Sequence, residues 1–175
     1  MDEGLGFFTF GDIVDGSGNI YSGPLTFDHV HCIPGFDIES TTGVTSINCP
    51  NLLSIDASNS QGGYLAITGN SGLVSVSMPL FLGPSPTSGI QIKNNSSLTT
   101  INLPSILYTI HGQDFRGNAL TAASVNAILA RCVASPGLTG GGTVDLSGGT
   151  NAAPTGQGIV DAATLTGRGV SVTTN

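Results

Sequence analysis

Residues 90–104 read IQIKNNSSLTTINLP, and this stretch decides the fold. Ile90 and Ile92 alternate with polar residues, which is typical of a β-strand that buries one face. Asn95 follows Ile92 by three residues, and a second apolar run then closes with Pro104. Proline has no N–H to give to a sheet and therefore favours a turn at that point. The stretch predicts a short strand, a polar corner at Asn95 and a return segment that ends in a turn.

The same pattern occurs elsewhere in the chain, so the sequence predicts an internal repeat. Three segments place apolar residues at their first, fourth and sixth positions and end in proline: Val44–Pro50 (VTSINCP), Leu73–Pro79 (LVSVSMP) and Leu98–Pro104 (LTTINLP). A strand-like run precedes each segment, at Phe36–Ile38, Leu65–Ile67 and Ile90–Ile92. Apolar residues at Phe115, Leu146 and Val172 extend the series to about six turns, spaced by roughly 23–31 residues.

A polar or small residue follows the last apolar position of every predicted strand by three residues. These six candidate ladder residues are Thr41, Asn70, Asn95, Asn118, Gly149 and Asn175. An asparagine side chain carries amide donors and a carbonyl acceptor, so it can satisfy backbone groups where the chain leaves a strand. One turn cannot bury its apolar face alone, whereas stacked turns share a continuous core. We therefore expect the six residues to stack as a polar ladder beside one parallel sheet.

Two short helices are predicted in the C-terminal turns. The first has Thr121 as its N-cap and ends at a Pro-Gly pair. Its apolar stripe at helical spacing consists of Val125, Ile128, Leu129 and Cys132. The second is expected from Pro154 or Thr155 to Thr166, with Gly167 at the C-cap position. The fold class that follows is a β-rich α/β solenoid of about six turns with one parallel sheet.

Residues 1–35 do not fit the repeat and are expected to form a segment of their own ahead of the repeat body, residues 36–175. The apolar run Leu5–Val14 (LGFFTFGDIV) and the pair Ile20–Tyr21 flank a Gly/Asn-rich cluster, which predicts a β-hairpin. Such a hairpin would cap the first turn and keep its apolar end from water. The alternative is an attachment segment in which Phe7, Phe8 and Phe10 form a protein interface. The two roles are compatible.

The composition argues against several classes of partner. Only 9% of the residues are charged and the net charge is −7. The four basic residues are scattered, so we expect no patch that binds nucleic acid or an anionic membrane. No apolar stretch is long enough to span a bilayer. The acidic start of the chain lacks the basic and apolar regions of a signal peptide, so none is expected in this sequence.

Metal sites are not expected, although two clusters are worth testing. His29 and His31 would share one face of a strand close to Cys32, as two zinc ligands would, but no third and fourth ligand stand nearby. The oxygen-rich loop Asp12–Asn19 offers Asp12, Asp15, Ser17 and Asn19 to calcium, yet it fails the EF-hand template at its glycine and glutamate positions. The three cysteines of the chain form no CxxC pair. We therefore predict ordinary polar turns and no cofactor.

No catalytic constellation is expected either. The chain has no G-x-S-x-G motif, and His111 stands alone ahead of Asp114. Asp114 and Asp145 could meet on adjacent turns, and a glycoside hydrolase needs two carboxylates that face one cleft. A polysaccharide-processing enzyme is therefore the third hypothesis, behind two non-catalytic ones.

Several segments carry a resemblance to known proteins. Asn95–Pro104 resembles the degenerate leucine-rich repeats of bacterial surface proteins, and Asp114–Leu120 (DFRGNAL) resembles the strand-Gly-Asn-helix unit of the same superfamily. The tail, Thr143–Gly158 and Val172–Asn175, is similar to a module of bacteriophage structural proteins and some bacterial surface proteins. The resemblance covers roughly residues 36–175.

The resemblance implies a non-catalytic structural or binding protein. The first expectation is a bacteriophage virion component, such as a capsid decoration, head-fibre or tail-associated protein. Its partners would be other virion proteins, a second copy of itself, or a glycan or protein on the host surface. The alternative is a secreted or surface-displayed bacterial adhesion module. In both cases we expect binding through outward strand residues such as Ala66, Gln91 and Lys93, or through the loop Leu82–Gly89.

Overall fold

The computed structural model describes residues 8–10, 22–28, 32–33, 35–55, 64–84, 89–106 and 112–175, with only the main chain described at 8–10 and 32–33. Over these ranges the chain is α/β, with parallel sheets and two helices. In chain order the elements are β1 (Phe8–Phe10), β2 (Gly23–Thr26), β3 (Cys32–Ile33), β4 (Phe36–Glu39), β5 (Val44–Asn48), β6 (Ser54–Ile55), β7 (Leu65–Thr68), β8 (Ser75–Ser77), β9 (Ile90–Lys93), β10 (Thr100–Asn102), β11 (Gln113–Asp114), α1 (Ala122–Ala134), β12 (Thr143–Asp145), α2 (Gln157–Gly167) and β13 (Ser171–Thr173).

Seven strands form one parallel sheet in the order β1-β4-β7-β9-β11-β12-β13, which is also their order along the chain. Its register places equivalent residues side by side. Ile38 pairs with Ile67 and Ile67 with Ile92, and all three are fully buried. Each such column of apolar residues is continuous from strand to strand, so neighbouring strands bury one another's inward faces. The six strands expected from the repeat, from β4 to β13, are neighbours in this sheet.

A second parallel sheet has the order β10-β8-β5-β2, and β3 pairs with β6 in a separate two-stranded sheet. The prediction of one parallel sheet is therefore wrong. In the proline-terminated segments, the fourth and sixth positions are both apolar and stand two residues apart, which is strand periodicity. Ile47, Val76 and Ile101 occupy the fourth position in the three segments and lie side by side in the second sheet.

The two large sheets share one hydrophobic core. Ile67 and Ile92 from the first sheet and Ile47 and Val76 from the second belong to the same buried cluster. Short corners follow the strands of the first sheet, and the residue before five of the six ladder positions takes a left-handed conformation there. These residues are Ser40, Gly69, Asn94, Gly117 and Gly148, with φ of 55°, 70°, 58°, 70° and 70°. Glycine recurs in this column because it adopts positive φ without a steric penalty.

Helix α1 follows β11 in the chain and packs beside β10, the edge strand of the second sheet. Its N-cap is Thr121, whose side chain accepts a hydrogen bond from the N–H of Ser124, so the predicted start of the helix is confirmed. The hydroxyl of Ser124 in turn accepts the N–H of Ile101 at 3.0 Å. A side chain of α1 therefore accepts a hydrogen bond from a backbone N–H of β10, the strand at the edge of this sheet.

Helix α2 departs from its predicted bounds at both ends. It begins at Gln157 after Gly156, and not at Pro154 or Thr155. Gly167 is its last residue, Arg168 is the C-cap, and the left-handed glycine is Gly169 with φ of 80°. The prediction of Gly167 as C-cap is thus wrong by one residue, because the helix extends one residue further before the chain changes direction.

Both sheets extend across the boundary that we expected at residue 35. Strand β1 pairs in parallel with β4, and β2 pairs in parallel with β5. All strand pairs in the described ranges are parallel, so the predicted N-terminal hairpin is not found among them. The second arm of that hairpin, Ile20–Tyr21, lies outside the described residues.

Candidate functional site

A column of hydrogen-bonded polar residues, most of them asparagines, lies at the corners where the chain leaves the first sheet. It is here called the amide column. It consists of Thr41, Asn70, Asn95 and Asn118, all of which are buried. The Oδ1 atoms of Asn70, Asn95 and Asn118 each accept the backbone N–H of the preceding member at 2.9 Å. Their Nδ2 atoms donate to carbonyl oxygens of the preceding strand, at Ile38, Ile67 and Ile92, over 3.0, 2.9 and 2.7 Å.

The column changes beyond Asn118. Gly149, the next predicted ladder residue, has no side chain, and Asn151 takes its place. The Nδ2 of Asn151 donates to the carbonyl oxygens of Phe115 and Leu146, and its Oδ1 accepts the N–H of Leu120 at 2.9 Å. The structure therefore brings together four of the six predicted ladder residues, replaces Gly149 by Asn151, and places Asn175 at the end of the series.

Asn175 contacts the replaced rung and not the column itself. Its Nδ2 donates to the carbonyl oxygen of Asn151 at 2.7 Å, and its Oδ1 accepts the N–H of Gly148 at 2.7 Å. The sequence pattern missed Asn151 because this residue lies five positions after Leu146, whereas the pattern was built on three. The extra pair Gly149-Thr150 before Asn151 is the available signal, since two extra residues at a corner shift the position of the next buried amide.

The outward face of the first sheet carries a continuous row of polar residues. Gln91 pairs with Asp114, Asp114 with Asp145, and Asp145 with Thr173. Residues that face outward on neighbouring strands stand close to one another, so this row forms a single polar surface. A depression of about 280 Å³ opens on it. Its lining includes Asp114, Arg116, Asp145, Ser171 and Thr173.

Charges concentrate at one point of this surface. The Oδ2 of Asp114 lies 3.5 Å from the Nζ of Lys93 and 3.3 Å from the Nε of Arg116. Lys93 also donates to the Oε1 of Gln91 at 2.7 Å. Two of the four basic residues of the chain therefore flank one carboxylate on the outward face. We refer to Gln91, Lys93, Asp114 and Arg116 as the outward cluster.

Asp114 and Asp145 lie on the same face of adjacent strands, as the enzyme hypothesis required. Each carboxylate already accepts hydrogen bonds from its own neighbourhood. Asp145 Oδ1 accepts the N–H and the hydroxyl of Ser147 at 2.9 and 2.6 Å. Asp114 is engaged by the two basic side chains of the outward cluster. What this arrangement offers chemically is a set of fixed donors and acceptors for a polar ligand.

A second polar group lies further along the first sheet, on β4. Asp37 is 9% exposed, and its Oδ1 has no hydrogen-bond partner among the described residues. Its Oδ2 accepts the hydroxyl of Tyr64 at 3.4 Å. Burial raises the pKa of Asp37, the nearby Glu39 raises it further, and the hydrogen bond from Tyr64 lowers it. Burial and the charge of Asp37 likewise raise the pKa of Tyr64.

The two cysteines whose side chains are described are both buried and free of disulfide bonds. Burial raises the pKa of Cys49 and of Cys132 to about 12. Because the thiolate is the nucleophile and the metal ligand, these thiols are unreactive at neutral pH. They serve as small apolar groups in the core.

The remaining site predictions fall on residues outside the described ranges. These are Phe7, the side chains of Phe8 and Phe10, the loop Asp12–Asn19, His29, His31, the side chain of Cys32, and His111. Within the described part of the chain, no group of three or more His, Cys, Asp or Glu residues is placed to hold a metal ion. The calcium and zinc hypotheses therefore stay predictions about the undescribed segments.

Comparison with known proteins gives no assignment. No protein family, no curated protein and no solved structure matches the chain. Among the helices of the described residues, neither is long and apolar enough to cross a bilayer.

Proposed function

We propose that this protein is a non-catalytic binding scaffold, built as a leucine-rich-repeat-like solenoid that displays one polar sheet face. The observation that carries the proposal is the in-register series of seven parallel strands in chain order, with the amide column connecting the corners after β4, β7, β9 and β11. A rigid parallel stack holds outward side chains at fixed spacing, and such surfaces are used for recognition. The row from Gln91 to Thr173 is the part of that face with the most fixed donors and acceptors.

Within that class, we propose a bacteriophage virion component, a capsid decoration, head-fibre or tail-associated protein. The resemblance of the tail, Thr143–Gly158 and Val172–Asn175, to a module of phage structural proteins supports this assignment. The charged fraction of 9% and the abundance of small polar residues also fit a repetitive virion protein. Its partners would be other virion proteins, a second copy of the chain, or a host-surface molecule.

Mass spectrometry of purified phage particles tests the virion assignment. The chain is expected among the structural proteins, at a copy number that is constant from one preparation to the next. Its absence from particles, together with its recovery from the bacterial cell surface, would favour the adhesion module instead. The scaffold proposal survives that second outcome, because both assignments use the same face.

The binding face is tested separately with variants of the outward cluster. Fluorescently labelled protein is applied to host cells, and Asp114→Asn combined with Arg116→Gln is expected to lower cell binding at least tenfold. The matched control is Thr164→Ala on the exposed side of α2, which removes a methyl group and a hydroxyl that donates to the carbonyl of Val160. Equal binding by wild type, double variant and control would rule out the outward cluster as the contact.

A further inference from the structure

A second site is separate from the outward cluster and lies between β10, β11 and α1. A cavity of about 220 Å³ opens there next to the edge strand β10. Most of its walls are apolar and almost fully buried, at Ile101, Leu103, Ile106, Phe115 and Ile128, and Gln113 and Ser135 are buried polar members of the lining. Its mouth is formed by exposed residues, among them Pro104 and Ala127. The cavity is therefore an apolar recess that solvent can reach from one side.

One charged residue, Arg131, belongs to this lining. The Nε of Arg131 donates to the carbonyl oxygen of Ile106 at 2.8 Å, which fixes the side chain at the cavity wall. The ion pairs of the described residues involve only Lys93 and Arg116, so Arg131 has no acidic partner there. Arg131 is half-buried, and its Nη atoms make no hydrogen bond to the described residues. Such a side chain favours an anionic ligand, because carboxylates accept two parallel hydrogen bonds from arginine.

We propose that this cavity binds a small organic acid, with its apolar ring or short chain inside and its carboxylate on Arg131. The size supports a compact ligand, since an apolar cavity of about 150 Å³ holds a benzene molecule. The present cavity has room for a ring and one carboxylate beyond it. The site is independent of the outward cluster, because the two share no residue.

Benzoate titrated into the full-length protein tests the proposal, followed by two-dimensional NMR of backbone amides. We expect saturable shifts at millimolar concentrations in Ile101, Phe115 and Ile128. Benzyl alcohol is the neutral probe of matched size, and it should bind at least tenfold more weakly. Arg131→Gln removes the charge and should weaken benzoate by a similar factor, since a charge-assisted hydrogen bond accounts for about tenfold. Circular dichroism verifies that the variant is folded.

A pair of alanine substitutions on α1 provides the steric test. Ala127→Phe adds a ring at the mouth of the cavity and is expected to abolish benzoate binding. Ala130→Phe adds the same ring on an exposed part of α1 that does not line the cavity, and it should bind benzoate like wild type. The proposal is overturned if benzoate causes no saturable shift, if benzyl alcohol binds as tightly, or if Arg131→Gln and Ala127→Phe bind as wild type does.

Discussion

Asn95 is fully buried, and every polar atom of its side chain has a partner. Its Oδ1 accepts two hydrogen bonds from Asn70, and its Nδ2 donates to Ile67 and to Asn118. A buried polar group lowers stability unless it is paired, so this arrangement explains why a core position holds an amide. The side chain replaces backbone partners that the corner between the two sheets cannot provide.

Asn95→Ala is expected to destabilise the protein by about 3 kcal/mol, because it leaves the buried N–H of Asn70 without its acceptor and removes a hydrogen bond to the carbonyl of Ile67. Chemical denaturation followed by circular dichroism measures the loss. Asn102→Ala is the matched control, since Asn102 is exposed and its side chain makes one long contact with Ser77. The control should change stability by less than about 0.5 kcal/mol. Equal losses in the two variants would contradict the account of the column.

Asp37→Asn is expected to stabilise the protein at neutral pH, by about 1 kcal/mol, because it removes a buried charge with an unpartnered oxygen. The pKa of Asp37 is raised in the folded state, so the folded protein holds this proton more tightly than the unfolded chain does. Its contribution to stability is complete below the ordinary value of 3.8 and is lost as pH rises through the folded pKa.

The difference between wild type and Asp37→Asn should therefore grow as pH rises above 3.8 and vanish below it. Thermal unfolding at a series of pH values measures this profile. Asp28→Asn is the control, because that side chain is exposed and is not among the groups that shift the pKa of Asp37, so it is expected to change the profile less. A difference that is independent of pH would show that ionisation of Asp37 is not the cause.

At the scale of single elements, helices and strands differed in how well the sequence predicted them. Helix α1 was predicted with its N-cap, because an apolar stripe of the right period and a capping threonine give two independent signals at Thr121–Cys132. The second sheet was missed, because Ser75–Ser77 and Thr100–Asn102 contain one apolar residue each. A strand that short shows its periodicity only when it is aligned with its neighbours in the other turns.

The corner at Gly149 gives an element-scale prediction. Gly149 has φ of 58°, and a Cβ there would overlap the carbonyl oxygen of Asn118 on the neighbouring turn. Gly149→Ala should cost about 3 kcal/mol, the sum of left-handed strain and a backbone clash. Gly141→Ala separates the two causes, because Gly141 has φ of 91° and an alanine Cβ at that position would meet no atom within 4 Å. Denaturant unfolding should show a smaller loss for Gly141→Ala.

Two outcomes would contradict this account of the corner. A loss at Gly149 no greater than that at Gly141 would mean that the neighbouring turn moves away at little cost. A loss near zero at both positions would mean that left-handed strain at these corners is negligible. The first result would remove the backbone clash as a reason for glycine at Gly149, and the second would remove both the clash and the strain.

At the scale of the whole molecule, each strand of the first sheet depends on the two beside it. Strand β9 has β7 on one side and β11 on the other, whereas β13 has only β12. Amide hydrogen exchange at neutral pH is expected to be slowest in β7 and β9, where opening needs the whole core to separate. The amides of β13 should exchange at least tenfold faster. Uniform protection along the sheet would contradict a nearest-neighbour account of stability.

The amide column also restricts how the length of this protein can change. Asn70 and Asn95 use the same donor and acceptor atoms towards the turns before and after them. One turn of this type can therefore form the same hydrogen bonds with any other turn of the same type. Duplication of a complete turn would therefore leave every buried donor matched with an acceptor. Insertion of half a turn would leave a buried amide without a hydrogen-bond partner. We therefore expect the length of this protein to vary only by whole turns.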